Sequence, residues 1–441
     1  MTYAEALSGL LSLQRFGIQP GLERIHALLD RLDHPERKFR IVHVGGTNGK
    51  GSVAVMVAAV LQVSGLRVGL YTSPHLCSFR ERIRVDARAI SHEAVARGFE
   101  RLLPDLERIA PTFFEASTAL ALAHFADRAV EVAVLEVGMG GRWDATTVGS
   151  PLVSVLTRID YDHQAYLGWS LREIAGEKAA IIRSGRAVAA AQARDVTEIL
   201  VAQAACARVP LIMEGEELSA STTRNDLAGQ RLTLRGPGWT LGDLFLPLLG
   251  SFQSQNALLA VAAVRAMGSA GITISDGAIR EGLSRVRWPG RFQVAGRNPL
   301  VILDGAHNPA GAQALASSLR YYFGSAPLTL ILGISSDKDK AGILKCLAPL
   351  AHRLILTAAS NPRATPPQEL QGLLPPMEGS VELAATAAEA LSLALGAPAT
   401  PTVCVAGSLF LVADVLTEMR GGGDIPCEIL ERHDSVESLY S

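Results

Sequence analysis

Phe39-Arg40-Ile41-Val42-His43-Val44 is a strand-forming run that passes directly into Gly45-Gly46-Thr47-Asn48-Gly49-Lys50-Gly51-Ser52, and a helical pattern, Ser52–Ser64, follows. Glycines allow backbone N–H groups to converge on phosphate oxygens. The helix N-terminus adds its dipole, and Lys50 adds a point charge. The run departs from the strict pattern G-x-x-x-x-G-K-[ST], because Val44 stands where the first glycine belongs and Gly51 where a hydroxyl residue belongs. A generic glycine-rich turn is the bland alternative. Strand, loop, lysine and helix in that order favour a phosphate loop.

Outward from this run, short apolar segments alternate with helical patterns. Arg67–Thr72, Glu131–Val137 and Leu152–Thr157 read as further strands, and Ser117–Arg128 as a helix. Near-continuous apolar strands are expected when a parallel sheet is covered on both faces. The pattern changes between Leu211 and Leu249, a stretch that predicts a β-rich excursion, and Gln255–Ala266 is helical. After Arg287-Trp288-Pro289-Gly290-Arg291 a second α/β series begins, with candidate strands Leu300–Leu303, Leu328–Gly333, Arg353–Thr357 and Thr402–Ala406. The expected organisation is an α/β chain. Residues 1–296 form a phosphate-loop domain, and residues 297–441 a smaller Rossmann-like domain ending in a loosely held tail from Gly421.

Composition narrows the function classes. The 441 residues carry 41 basic and 43 acidic side chains, a formal net charge of -2, which gives no general reason to expect nucleic acid or an anionic membrane as partner. The five cysteines are scattered, without zinc-site spacing or a disulfide framework. No signal peptide and no membrane span are expected, so the protein reads as cytoplasmic.

Three strand ends carry polar residues of a useful type: Ser73 in Thr72-Ser73-Pro74-His75, Glu136 in Leu135-Glu136-Val137-Gly138, and His163 in Asp160-Tyr161-Asp162-His163. Ligands of open α/β sheets bind beyond the carboxyl ends of the strands. A hydroxyl, a carboxylate and an imidazole there can hold a divalent ion beside a triphosphate. Each also has a structural alternative: a helix cap, an ion-pair partner and a hydrogen-bonded histidine.

These motifs together resemble folylpolyglutamate synthase, whose bacterial members are often bifunctional with dihydrofolate synthase and belong to the Mur ligase superfamily. The resemblance continues through Glu177-Lys178-Ala179, Gly250…Gln253…Asn256, Trp288-Pro289-Gly290-Arg291, Asp304-Gly305-Ala306-His307-Asn308-Pro309, Asp337-Lys338-Asp339, Asn361-Pro362-Arg363-Ala364 and Gly407-Ser408-Leu409. It spans nearly the whole chain in the expected order. Phe252 departs from it where histidine is usual, and Gln293 where glutamate is usual.

The resemblance implies a Mur-ligase-like central domain with an N-terminal pterin-binding segment and a C-terminal glutamate-ligase domain. It implies that Asn48, Gly49, Lys50, Gly51 and Ser52 bind ATP phosphates, and that Asn256, Arg291 and Asp304 contact the nucleotide. Ser73 and Glu136 would hold one Mg2+, and His163 with Glu136 a second. Lys178 would be a carbamylated lysine, an anionic ligand where a free ammonium would repel the ion. His307 would stand near the incoming glutamate. Pterin contacts would come from Arg15, Phe16, Gly17 and Ile18, from Arg82, from Thr112, Phe113, Phe114 and Glu115, and from Trp143, Asp144 and Ala145.

The implied activity is ATP-driven amide formation through an acyl phosphate, joining L-glutamate to dihydropteroate or a reduced folate, in a monomer. A peptidoglycan-precursor ligase of the same superfamily and a nucleotide-binding ATPase without ligase chemistry are the alternatives.

Overall fold

The computed structural model describes residues 1–396 and 402–420. The predicted tail from Gly421, with Cys427, lies outside the described residues. Two compact units are present. The first comprises residues 1–222, 232–245 and 254–286; the second comprises 223–231, 246–253 and the chain from Arg287.

The first unit holds an eight-stranded sheet: β1 (Arg40–Gly45), β2 (Val68–Tyr71), β3 (Ile83–Val85), β4 (Arg88–Ala89), β5 (Val132–Glu136), β6 (Pro151–Leu156), β7 (Arg186–Ala189) and β8 (Leu211–Met213). Their order is β4-β3-β2-β5-β1-β6-β7-β8. β2-β5-β1-β6-β7-β8 is parallel, and β3 and β4 extend it antiparallel. The chain leaves β1 toward β2 on one side and later returns to β6 on the other. β1 and β6 therefore flank the point where strand order reverses, the usual ligand crevice of such sheets. Val44 is level with Glu136 on β5 and with Val155 on β6, so the segments leaving β1, β5 and β6 emerge side by side.

The helix Lys50–Val63 follows the glycine loop. Val53, Ala54, Met56, Val57, Val60 and Leu61 are all fully buried along it. A helix apolar on every side is a core helix, and this one lies close against the helix Asp276–Ser284. A Cβ on Gly282 would come within 2.5 Å of Val60 Cα. The helix His92–Ile109 buries only one stripe, Val95, Ala96, Phe99, Leu102 and Asp105, as a surface helix does.

The β-rich excursion expected from Leu211 to Leu249 begins later: Leu211–Met213 is β8 of the large sheet, and β9 (Ser219–Asp226), β10 (Gly229–Gly236) and β11 (Trp239–Leu246) form a three-stranded sheet whose residues are divided between the two units.

The second unit is built on β12 (Gln293–Arg297), β13 (Leu300–Leu303), β14 (Leu328–Leu332), β15 (Arg353–Leu356), β16 (Ser380–Leu383) and β17 (Thr402–Ala406), in the order β12-β13-β17-β14-β15-β16. All but β12 are parallel. β12 pairs antiparallel with β13, Gln293 opposite Leu303, so the chain enters this unit before the expected break between residues 296 and 297. The half-buried, mixed composition of this edge strand hid it in the sequence.

Candidate active site

The glycine loop is built around positions that only glycine fills. Gly46 has φ 126°, and a Cβ there would meet Thr157 Oγ1 at 2.0 Å. Gly49 has φ 92°, and a Cβ would meet Asn256 Oδ1 at 2.5 Å. Both lie in the left-handed region that side chains disfavour. The loop is pinned to its neighbours. Val137 N donates to Val44 O, Thr157 N to Gly45 O, and Thr47 N to Arg158 O, each at 2.9 Å. Thr47 Oγ1 donates to Asp160 O and accepts from Asp160 N, both at 3.0 Å. Asn48 is half-buried; Gly51 and Ser52 are buried in the first turn of the helix.

Gly49 is the N-cap of Lys50–Val63, and no side chain caps that helix. A helix N-terminus without a side-chain cap offers its N–H groups to an anion. Lys50 curls back over the loop, donating to Thr47 O at 3.0 Å and Gly46 O at 3.3 Å. Lys178, on the helix Leu171–Ala179 and 3% exposed, donates to the same Gly46 oxygen at 2.9 Å. Residues far apart in sequence thus bring two ammonium groups to one carbonyl.

Glu136 is buried at the end of β5 and accepts from Ser73 N at 3.0 Å. The predicted ligands Ser73 and Glu136 are therefore brought together. His163 is half-buried, with φ 51°, in the same β6 exit segment as Asp160; its backbone N–H bonds Asp162 Oδ1 at 2.9 Å. Among the described residues no group of three or more His, Cys, Asp or Glu is placed to hold a metal. The expected set contains only two such residues, Glu136 and His163, beside a hydroxyl and a lysine. One carboxylate with a hydroxyl and an imidazole suits Mg2+, which keeps several waters and draws other ligands from phosphate; Lys178 could join them only as an anionic carbamate. The donor chemistry therefore fits an ion carried in with a nucleotide.

Arg82 is buried next to Glu136. Its Nε donates to His75 Nδ1 at 2.8 Å, and its guanidinium lies 5.2 Å from the centre of the Phe113 ring. Burial, then the Arg82 charge, push His75 down to about 3, so His75 is a neutral acceptor. Burial raises the adjacent Tyr71 phenol to about 12. Phe114 packs beside Tyr71, ring centres 6.0 Å apart. Phe113 and Phe114 are half-buried and pack against the core of this unit, Phe113 also under the Arg82 guanidinium.

The other expected pterin contacts have varied surroundings. Thr112 and Glu115 form a capping box, and Glu115 also pairs with Arg24 at 3.1 Å. The Arg15 guanidinium lies 4.9 Å from the Phe16 ring centre; Gly17 has φ 61°, and Ile18 is exposed. Trp143 is half exposed, whereas Ala145 packs in the core. Asp144 is buried and accepts from Met139 N at 2.9 Å, Thr146 N at 2.9 Å and Thr146 Oγ1 at 2.5 Å. Its carboxylate holds its own loop, and burial raises its pKa.

His43 on β1, which sequence reasoning did not single out, completes that network. Its Nε2 lies 2.8 Å from Thr146 Oγ1, whose proton goes to Asp144. Nε2 must therefore donate, leaving Nδ1 buried without a partner. Burial, then Arg183, lower the His43 pKa to about 3. The capacity of Thr146 to link two buried polar groups had no sequence signal.

In the second unit, Asp304 is buried at the end of β13 and accepts from Phe292 N and Ala306 N, both at 2.8 Å. Burial raises its pKa, and neighbouring Arg291 opposes the shift. A Cβ on Gly305 would meet Arg291 Nη1 at 2.4 Å. His307 Nδ1 lies 2.7 Å from Gly305 O; a carbonyl only accepts, so Nδ1 carries the proton.

An uncapped helix end with lysines over a glycine loop, followed by a second nucleotide-fold unit, defines a phosphate-binding α/β protein of the two-domain ligase class. Residues 44–264 match the Mur ligase middle domain and residues 290–409 the Mur ligase glutamate ligase domain. The chain is 41% identical over 369 residues to the dihydrofolate synthase/folylpolyglutamate synthase of Mycobacterium tuberculosis, covering 79% of this chain and 76% of that one. A Mycobacterium tuberculosis folylpolyglutamate synthase structure with ADP and AMPPCP superposes with a TM-score of 0.86 at 37% identity, covering 95% of this chain and 100% of the other. Escherichia coli FolC with DHPP and ADP gives a TM-score of 0.87 at 32% identity, covering 95% and 98%. This chain belongs to the folylpolyglutamate synthase/dihydrofolate synthase family of ATP-dependent Mur ligases.

Proposed function

We propose that this protein joins L-glutamate to dihydropteroate, to the γ-carboxylate of reduced folates, or to both, driven by ATP. The observation that carries the reading is the β1 loop, where an uncapped helix N-terminus stands beside Lys50 and Lys178 on the Gly46 carbonyl. In the reaction, the substrate carboxylate takes the γ-phosphoryl group, giving ADP and an acyl phosphate. The glutamate amine attacks the acyl carbon, loses a proton, and phosphate departs as the amide forms. Lys50 and the helix N–H groups neutralise the phosphate chain. Asn256, Arg291 and Asp304 are assigned to the nucleotide, and His307 to the incoming glutamate.

Ser73, Glu136 and His163 are the residues that would hold Mg2+, which when bound neutralises charge on the transferring phosphoryl group. Two ammonium groups on one carbonyl repel each other. Carbamylation of Lys178 relieves that repulsion and turns the side chain into an oxygen ligand. Phe113, Phe114 and Arg82 are assigned to the flat pterin. A cytoplasmic monomer acting on small molecules is part of this reading; no described helix is long and apolar enough to cross a membrane, and the near-balanced charge gives no general reason to expect nucleic acid as partner.

The test offers purified protein ATP, Mg2+ and glutamate with dihydropteroate or tetrahydrofolate separately, and follows phosphate release and product mass. The expected product gains one glutamate residue. ATP turnover that ignores glutamate, with no addition to either pterin, overturns the reading in favour of a plain ATPase.

A further inference from the structure

A cavity of about 750 Å³ in the first unit lies away from the phosphate loop, lined among others by Arg186, Leu218, Trp239, Ala262, Arg265 and Asp276. Its volume suits a drug-sized molecule. The helix Gln253–Ala266 places Asn256 against Gly49 and Arg265 in this cavity. Nine residues of helix separate the two, about 14 Å at 1.5 Å per residue.

Three features of the lining point to a ligand. Arg186 is half-buried at the start of β7, where its backbone pairs with β6, and its guanidinium has no hydrogen-bond or ion-pair partner among the described residues. Arg265 donates to Ile274 O at 3.0 Å and pairs with Asp276, yet its Nε is buried without a partner. Trp239 is held by the tight turn Pro237-Gly238, where Gly238 has φ 75°. Its indole lies so close to Gly236 that a Cβ there would come within 2.3 Å of Cζ2. An aromatic ring fixed against backbone loses little freedom when a flat molecule stacks on it. Leu218 and Ala262 supply apolar wall.

We propose that this cavity binds a planar aromatic monoanion, its ring against Trp239 and Leu218 and its carboxylate on Arg186. Guanidinium groups suit carboxylates and phosphates alike. Arg186, Arg265 and Asp276 together carry a single net positive charge, which matches one anionic group; a polyphosphate would meet the Asp276 carboxylate.

The experiment titrates the full-length protein with 8-anilinonaphthalene-1-sulfonate, a fluorescent monoanion with a flat naphthalene ring, in the presence of saturating ADP and Mg2+. Wild type is expected to show one saturable site. Arg186→Ala and Trp239→Ala each weaken it at least tenfold, Arg186→Lys less, with ligase turnover unchanged in all three. 2-Naphthoate is expected to displace the dye, and inorganic tripolyphosphate is not. Dye affinity indifferent to both alanine variants overturns the site. Displacement by tripolyphosphate at lower concentration than by naphthoate overturns the ligand class.

Discussion

The molecule contains two strand–loop–helix junctions of similar plan and opposite chemistry. β1 runs through Gly46–Ser52 into Lys50–Val63, whose N-terminus has no side-chain cap. β13 runs through Asp304–His307 into Pro309–Phe323, which is closed by its own Asn308: the Asn308 side chain accepts from Gly311 N at 2.8 Å, and proline occupies the first turn. At the first junction glycines with positive φ leave the loop open, and lysines gather over it. At the second a buried carboxylate is turned inward to hold its own loop. A helix end already capped has less to offer an anion. On the proposed reading, phosphate binding belongs to the β1 junction, and positioning of the other groups to the β13 junction.

The largest expected effect is on the open junction. Lys50→Ala should lower glutamate-dependent ADP release by roughly 10²–10³-fold, the scale for removing one group that stabilises transition-state charge, with the circular dichroism spectrum retained. Near-normal turnover would break the assignment. Lys178→Ala should lose about a hundredfold by the same argument, and a short-chain carboxylic acid should restore part of it. Full activity without the acid would remove the carbamate.

Smaller effects separate the junctions further. Gly49→Ala places a side chain at φ 92° against Asn256, a strain of roughly 1–2 kcal/mol, so the KM for ATP should rise about tenfold. Asn308→Ala removes the cap of the other helix. It should cost about 1 kcal/mol of stability in chemical denaturation while leaving nucleotide affinity in place. If Asn308→Ala weakened ADP binding as much as Gly49→Ala, the contrast between the junctions would fail.

Acid should also act in opposite directions on the two. His43 beneath the first junction has its pKa lowered from 6.5 to about 3, so between these values the unfolded chain binds the extra proton and stability falls as pH drops. Asp304 at the second has its pKa raised above 3.8. There the folded state binds the proton more tightly, and this contribution is lost as pH rises through the folded value. Urea midpoints measured from pH 7 to pH 4 should therefore fall less steeply for His43→Asn than for wild type; parallel curves would show that His43 does not titrate on unfolding.

Much of the architecture was legible because its signals are local. The four strands that build the centre of the first sheet are apolar runs, and β13 and β17 were legible to the residue. β3, β4, β7, β12 and β16 went unread. They are two to five residues long, and several are mixed in polarity, so no period is established over their length. At the site, the glycine loop could be read directly. The Thr112–Glu115 segment shows the limit: its capping-box spacing is as visible as its aromatics, and the structure uses Thr112 and Glu115 for the cap.

By itself the sequence determined the phosphate loop and the alternation that makes an α/β sheet, because backbone freedom at Gly46 and Gly49 and a lysine at a helix start are properties of neighbouring residues. Only the tertiary structure decided that Lys178 joins Lys50 on the Gly46 oxygen, that Ser73 N reaches Glu136, and that Asp144 is bound to Met139, Thr146 and, through Thr146, His43. Those contacts depend on strand order and register. β5 and β6 pair on either side of β1 although they follow it by many residues, and no local pattern specifies which strands become neighbours.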